Sequence, residues 1–375
     1  MLSHFRNRLP EMLQLLQQLV ELESPSSDKD AIDRLIAHLE RTVVSHGGQA
    51  EVIEQADRGN HLLATFGSGT EQVLLLCHID TVWDVGELAK RPFRIEDGKA
   101  YGPGIFDMKA GTVQALFALD YLLNAGWPLN CQVKILFNSD EEIGSGTSRR
   151  LIEQLAGESR AVFVLEPSIS PQGALKTGRK GVGRFDIAVE GIASHAGSAP
   201  ERGASAVLEL AKQTVWLHNL NDLALGTTVN VGVVKGGTRP NVMAAAAHGE
   251  VDLRVATMAE AERVVNAILA RQAETPGTKV QISGGLNRPP MERSPQIVEL
   301  YQLAARLAAE LGIEISEGTT GGGSDGNFTA ALGVPTLDGL GAVGDGAHAA
   351  HEFLYVDKIP ERTALLTRLL LEVGR

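Results

Sequence analysis

Val73-Leu74-Leu75-Leu76-Cys77-His78-Ile79-Asp80 runs through consecutive apolar residues straight into a histidine and an aspartate. A strand that is apolar throughout needs cover on both faces, which is the mark of a mostly parallel sheet packed between helices. Two further runs have the same form: Val133-Lys134-Ile135-Leu136-Phe137 leads into Asp140-Glu141-Glu142, and Ala161-Val162-Phe163-Val164-Leu165 leads into Glu166. A fourth strand is expected at 61–66, and helical periodicity is read over 5–22, 28–46, 109–125 and 145–156. The expectation is an α/β domain with a mostly parallel or mixed sheet covered by helices. Ligands of such sheets gather beyond the carboxyl ends of the strands.

Between 177 and 288 the pattern changes to strand, helix, strand, strand, helix, strand, the βαββαβ order of a ferredoxin-like α+β domain. Asn287-Arg288-Pro289-Pro290 ends it. A helix over 294–311, a glycine-rich turn, a strand near 334–337 and a helix over 358–373 then resume the first style. The chain therefore reads as one α/β domain, 1–176 with 289–375, interrupted by a smaller domain at 177–288. A length of 375 residues agrees with more than one core.

The formal net charge of -12 disfavours nucleic acid or an anionic membrane surface as a partner. Cys77 and Cys131 both lie in apolar runs, so no disulfide framework is expected. The first 24 residues alternate apolar and polar side chains with helical period, unlike a signal peptide, and no segment reaches the ~20 apolar residues of a membrane span. A cytoplasmic protein is expected.

The strand ends carry the candidate chemistry. In an extended segment residues two apart face the same way, so Asp80 can sit beside His78 and fix its tautomer for metal binding. Taken alone, a His-x-Asp is more often a surface loop. Asp107, in Gly104-Ile105-Phe106-Asp107-Met108-Lys109, precedes a helix and reads as an N-cap, with a second role, not exclusive of the first, as a carboxylate bridging two cations. Adjacent Glu141 and Glu142 repel unless a cation is present; one can ligate while the other serves as general base. Gly346-Ala347-His348-Ala349-Ala350-His351-Glu352 offers two histidines, one of them a ligand candidate. A mixture of imidazoles and carboxylates suits a pair of zinc ions better than magnesium.

These segments, in this order and spacing, resemble the zinc metallopeptidases that include carboxypeptidase G (glutamate carboxypeptidase), aminoacylase, tripeptidase and succinyl-diaminopimelate desuccinylase, nearest to carboxypeptidase G. The resemblance covers nearly the whole chain. It implies two Zn2+, with Co2+ or Mn2+ able to substitute: His78 and Glu166 on one ion, Glu142 and His351 on the other, Asp107 between them. It further implies that Asp80 orients His78, that Glu141 is the base, and that His195 in Ala193-Ser194-His195-Ala196-Gly197 stabilises the transition state. Asn241 and Arg254 align with residues near the substrate carbonyl and carboxylate, Thr320 with a substrate-binding segment, and Arg288 with the residue gripping a terminal carboxylate. The segment Gly173–Gly178 does not match the residues that read a glutamate side chain, and Lys176 is offered in their place. The implied activity is release of a C-terminal amino acid from a small peptide or N-acyl amino acid. Deacylation or desuccinylation of an N-acyl compound and di- or tripeptide cleavage are the alternatives within the family, and a non-catalytic metal-binding protein is the reading from another class. The resemblance also implies a homodimer through the inserted domain, which would act as a lid, with His195 serving its own or the neighbouring subunit's site.

Overall fold

Along the strand Glu71–His78 the side chains alternate between two separate cores. Val73, Leu75 and Cys77 enter one, while Leu74 and Leu76 enter the other. The strand Cys131–Asn138 does the same with Ile135 and Phe137 against Leu136, and Ala161–Val164 with Phe163 against Val162 and Val164. This is why the runs are apolar nearly throughout, the polar Gln132 and Lys134, in the amino-terminal half of Cys131–Asn138, being partly exposed.

The computed structural model describes residues 1–125 and 130–374. Two units are present, one formed by Met1–Gly178, Arg293–Thr320 and Ser324–Arg375, the other by Arg179–Glu292 with Gly321–Gly323. Three residues of the glycine-rich turn, Gly321–Gly323, thus group with the second unit.

In the first unit, six strands lie in the order Gln49–Ile53, His61–Phe66, Cys131–Asn138, Glu71–His78, Ala161–Val164, Thr336–Leu337. The last four run parallel, and the first two form an antiparallel edge. Helices Leu2–Glu21, Lys29–Ser45, Ala110–Asn124 and Lys358–Val373 bury their apolar faces in the larger core. Helix Arg149–Gly157 and Phe328 close the other face. His78, Asn138 and Val164 are the carboxyl ends of three neighbouring parallel strands, so whatever follows them converges at one end of the sheet.

The second unit has the strands Gly181–Glu190, Thr228–Gly236, Ala246–Val255 and Lys279–Arg288 and the helices Ala206–His218 and Met258–Leu269. Its sheet order, with the second strand beside the third, then the first, then the fourth, and all neighbours antiparallel, is ferredoxin-like. Phe185, Ile187 and Val189 are buried while the residues between them are exposed. One face is packed and the other is open, so here the period of two is visible in the sequence. Both cysteines are buried and free, and among the described residues no helix is long and apolar enough to cross a membrane.

The start of helix Ala110–Asn124 passes directly over the strand end that carries Glu166: a Cβ on Gly111 would stand 2.3 Å from the Leu165 carbonyl oxygen. Gly111→Ala is therefore expected to destabilise the protein by about 1–3 kcal/mol, the usual scale for overpacking. An unchanged urea midpoint would contradict this seating.

Candidate active site

His78 ends its strand almost fully buried, and its two ring nitrogens face different groups. Nδ1 lies 3.0 Å from the backbone carbonyl of Asp80, with the Asp80 carboxylate farther off at 3.6 Å. Nε2 is 3.0 Å from Asp107 Oδ1 and 3.5 Å from Glu166 Oε1. Nδ1–H donates to the Asp80 carbonyl, which leaves the Nε2 lone pair for a cation. The tautomer is thus set mainly by the main chain of Asp80, whereas the expectation assigned this to its side chain.

The Asp80 carboxylate, fully buried, has another task. It accepts hydrogen bonds from the backbone N–H groups of Glu141 and Glu142 at 3.2 Å each and from Ser26 Oγ at 2.6 Å. Asp140, next in the same turn, accepts from Thr147 N at 2.6 Å and from Ser148 Oγ at 2.5 Å. The single turn Glu141–Ile143 is pinned from both sides, and Gly144 closes it at φ 100, where a side chain would be strained.

Asp107 is not an N-cap. The irregular turn Ile105–Lys109 separates it from the helix, whose N-cap is Lys109 without a side-chain bond. Gly104 allows this turn with φ 70, and its Cβ would meet Thr81 at 2.5 Å. The two oxygens of Asp107 point to two different imidazoles: Oδ1 to His78, and Oδ2 to His348 Nε2 at 3.4 Å. His348 also lies 3.1 Å from Glu142 Oε2. The ligand expected at His351 is therefore replaced: His348 is the histidine brought to Asp107 and Glu142, with φ 60 at its own backbone turning the side chain inward.

Donor atoms of His78, Asp107 and Glu166 lie within 4.8 Å of one another, as do those of Asp107, Glu142 and His348. Two ligands each ~2.0–2.1 Å from one tetrahedral zinc stand about 3.3 Å apart, and the imidazole–carboxylate separations here, 3.0–3.5 Å, are of that size. Electrostatics agree. Burial above all, helped by the charge of Asp107, raises Glu142 despite its bond to His348. Burial opposes protonation of His78, yet hydrogen bonds to Asp107 and Asp80 outweigh it and hold the imidazole well above its ordinary value. Asp107 and then Glu142 push His348 up to about 11. Burial would raise Asp107, but its bonds to His348 and His78 hold it well below the usual carboxylate range.

The remaining predicted residues fall as follows. Glu141 sits on the pinned turn, and its carboxylate belongs to neither donor group. Lys176 is buried with Nζ 3.8 Å from Glu166 Oε2. Thr320 ends a short strand, Glu317–Thr320, beside Leu175–Arg179. In the second unit, His195 is exposed, and its Nδ1 accepts from the backbone N–H groups of Gly197 and Ser198 at 3.1 Å each, which puts the ring proton on Nε2. Asn241 is exposed nearby, its carbonyl accepting from Ala196 N at 3.0 Å. Arg254 is not free to receive a substrate carboxylate: its Nε and Nη2 are forked onto Asp252 at 2.9 and 3.0 Å. Arg288, 4% exposed, is buried at the end of its strand rather than lying in an exposed hinge.

Sequence reasoning missed Glu352, which is buried and takes all four of its hydrogen bonds from donors (Gly104 N, Phe106 N, Asp107 N and Trp83 Nε1) at 2.9–3.1 Å. Burial pushes its carboxyl up to about 7, but only the ionised form can accept from four donors at once, so the arrangement is that of the anion. Its place beside His351 in the sequence was the only available signal.

An irregular, carboxylate-rich pair of donor groups at the carboxyl end of a parallel sheet, beside a pinned glutamate outside both groups, defines a metal-dependent hydrolase. Residues 74–372 match Peptidase family M20/M25/M40, and the chain belongs to that family. It is 31% identical over 372 residues to carboxypeptidase G2 of Pseudomonas sp. (strain RS-16), covering 97% of this chain and 90% of that one. Aminopeptidase PepT from Bacillus cereus superposes with a TM-score of 0.77 at 21% identity over 98% of this chain and 99% of that one. The Bacillus subtilis YXEP protein, a dinuclear metal binding peptidase, does so with a TM-score of 0.71 at 16% identity over 98% and 99%.

At pH 7 the acids around His78 and His348, which raise both imidazoles, favour a proton on each in the metal-free site. Loading the metal-free protein with zinc at that pH should release about two protons, since metal ligation needs neutral imidazole. Indicator-dye measurement of no release would show that the imidazoles are not the ligands.

Proposed function

We propose that this protein is a dizinc amidohydrolase of carboxypeptidase type, releasing a C-terminal amino acid from a small peptide or N-acyl amino acid. The observation that carries it is Asp107 standing between two imidazole–carboxylate groups, one oxygen toward each. Similarity to carboxypeptidase G2 over nearly the whole chain favours the carboxypeptidase direction. His78, Glu166 and Asp107 would hold one cation, and Asp107, Glu142 and His348 the other, zinc being the resident ion and cobalt or manganese able to stand in. Bound there, the cations would polarise the scissile carbonyl and bring a water molecule's pKa toward neutrality.

The rest is the work of the chain's own residues. Glu141, fixed at its backbone by Asp80, takes the proton of the attacking water on its carboxylate and returns it to the leaving amine. His195 with its proton on Nε2 is a suitable donor to the developing oxyanion, because two backbone N–H groups already hold Nδ1 in the acceptor state. Arg288 is assigned to the substrate's terminal carboxylate, where a guanidinium offers two parallel hydrogen bonds. Arg254 is dropped from that role by its pairing with Asp252.

Lys176 bears on substrate choice. Its ammonium is directed at Glu166, which weakens its use in reading a substrate glutamate. This favours a second reading in which the preferred side chain is not acidic and the enzyme deacylates N-acyl amino acids. We further infer a cytoplasmic homodimer joined through the inserted unit, supported by the exposed apolar residues Val207, Leu208 and Val215 on one helix.

Glu141→Gln should keep its metal and lose at least ~100-fold in kcat, the scale of a general base; near-normal turnover would reject that role. Arg288→Lys should raise KM selectively for substrates with a free carboxylate, and equal kinetics on free-acid and amidated substrates would count against it. Assaying dipeptides, folate-like acyl glutamates and simple N-acyl amino acids side by side separates the two substrate readings.

A further inference from the structure

Glu352 is a buried carboxylate beside the site that neither donor group includes. A carboxylate has about four lone-pair directions, and here four donors take them: Oε1 receives Phe106 N and Asp107 N, Oε2 receives Gly104 N and Trp83 Nε1. Nothing is left with which to ligate a cation or move a proton.

Its contacts join three segments. One is the turn whose Asp107 faces both imidazoles. The second is Trp83, three residues past Asp80; the Arg91 guanidinium stacks on its ring at 3.9 Å and reaches the Ala349 carbonyl at 3.5 Å. The third is the loop of Glu352 itself, folded by the bonds Ala349 N to Gly346 O at 2.8 Å and Glu352 N to Ala349 O at 3.0 Å, with His348 inside it. His78 and Glu166 follow neighbouring strands of the central sheet and need no such tie. The base of the loop bearing Glu352 is held by a ladder, Gly344–Asp345 pairing with Phe353–Tyr355 and the latter with Lys99–Tyr101 just ahead of the Asp107 turn. His348 itself is about half exposed and stands on irregular chain beyond the ladder, where the bonds of Glu352 are what join its loop to the residues flanking Asp107.

We propose that Glu352 is a positioning residue that sets the spacing between Asp107 and His348, and thereby governs uptake of the cation on the Glu142–His348 side while leaving the His78–Glu166 side nearly untouched. This rests on the dinuclear reading above. Glu352→Gln keeps the shape but turns an amide nitrogen toward two donors. Trp83→Phe keeps the stacked ring and removes a single donor, so it tests the idea even if the first variant folds poorly.

The experiment titrates metal-free wild type and both variants with zinc against a chromophoric chelator, repeats the titration with cobalt to follow its visible absorption, and records thermal unfolding alongside. Expected is a wild type with two resolvable sites. In Glu352→Gln the affinity of one site should fall about tenfold or more, the scale of losing a group that supports a metal ligand, with the other site within about threefold. Trp83→Phe should shift the same site less, and cobalt absorption should change only in the loading step that fills that site. Unchanged affinity at both sites overturns the proposal, as does an equal fall at both sites that tracks lost thermal stability. A wild type that takes up one cation overturns the dinuclear reading and this proposal together, and is recognisable because no substitution is involved.

Discussion

Everything about this site follows from carboxylates crowded where water is scarce. Asp107, Glu142 and Glu166 converge with Asp80 and Glu352 at the carboxyl end of one sheet. Like charges so close cannot all remain ionised unless positive charge or hydrogen-bond donors are supplied. The chain divides the acids accordingly. Asp80, with three hydrogen-bond donors, and Glu352, with four, are occupied by donors, whereas Asp107, Glu142 and Glu166 meet imidazoles or Lys176.

The sheet explains why the two sides differ in firmness. Neighbouring parallel strands fix the takeoff points of His78 and Glu166 through their ladders, and both strands sit in cores on each face. A displacement there would disturb packing, which is costly because interiors are close-packed. His348 lies outside any ladder, on a loop whose ends alone are paired, Gly344–Asp345 with Phe353–Tyr355, and whose interior is held by turn hydrogen bonds and the contacts of Glu352. Between these extremes, Glu142 lies on a turn without regular structure that is nonetheless held by two buried aspartates.

What could be read from the sequence, and what could not, divides along the same line. His78, Glu142 and Glu166 were legible because one short segment encodes both a strand and the group at its end. Asp107 was legible as a carboxylate in a glycine-rich turn, with cap and bridge left open until geometry removed the cap. The change to alternating burial at Gly181–Glu190 marked the inserted unit. The edge strand Gln49–Ile53 escaped because its half-exposed pattern forms no apolar run. His348 and His351 could not be told apart: they are three residues apart in a loop without a period, and the positive φ that turns one of them inward leaves no trace in residue type. Glu352 was invisible for a related reason, since three of its four partners are backbone N–H groups, which every residue but proline possesses.

The metal-free protein, finally, need not be a collapsed version of the loaded one. His78 and His348 bind protons more tightly than free imidazole because the acids around them stabilise the charged ring. A folded-state value raised above the unfolded one contributes stability that is complete below the unfolded value and fades as pH rises through the folded value, about 11 for His348. Asp107 works in the opposite sense: its lowered value contributes above the ordinary carboxylate range and is lost on strong acidification. The charged imidazoles, favoured by the same acids, can therefore stand in for cations and keep Asp107 between its two partners. Metal uptake would then exchange protons for cations, with His78 and Glu166 held by the central sheet and the His348 loop held at its base by the pairing of Phe353–Tyr355 with Lys99–Tyr101.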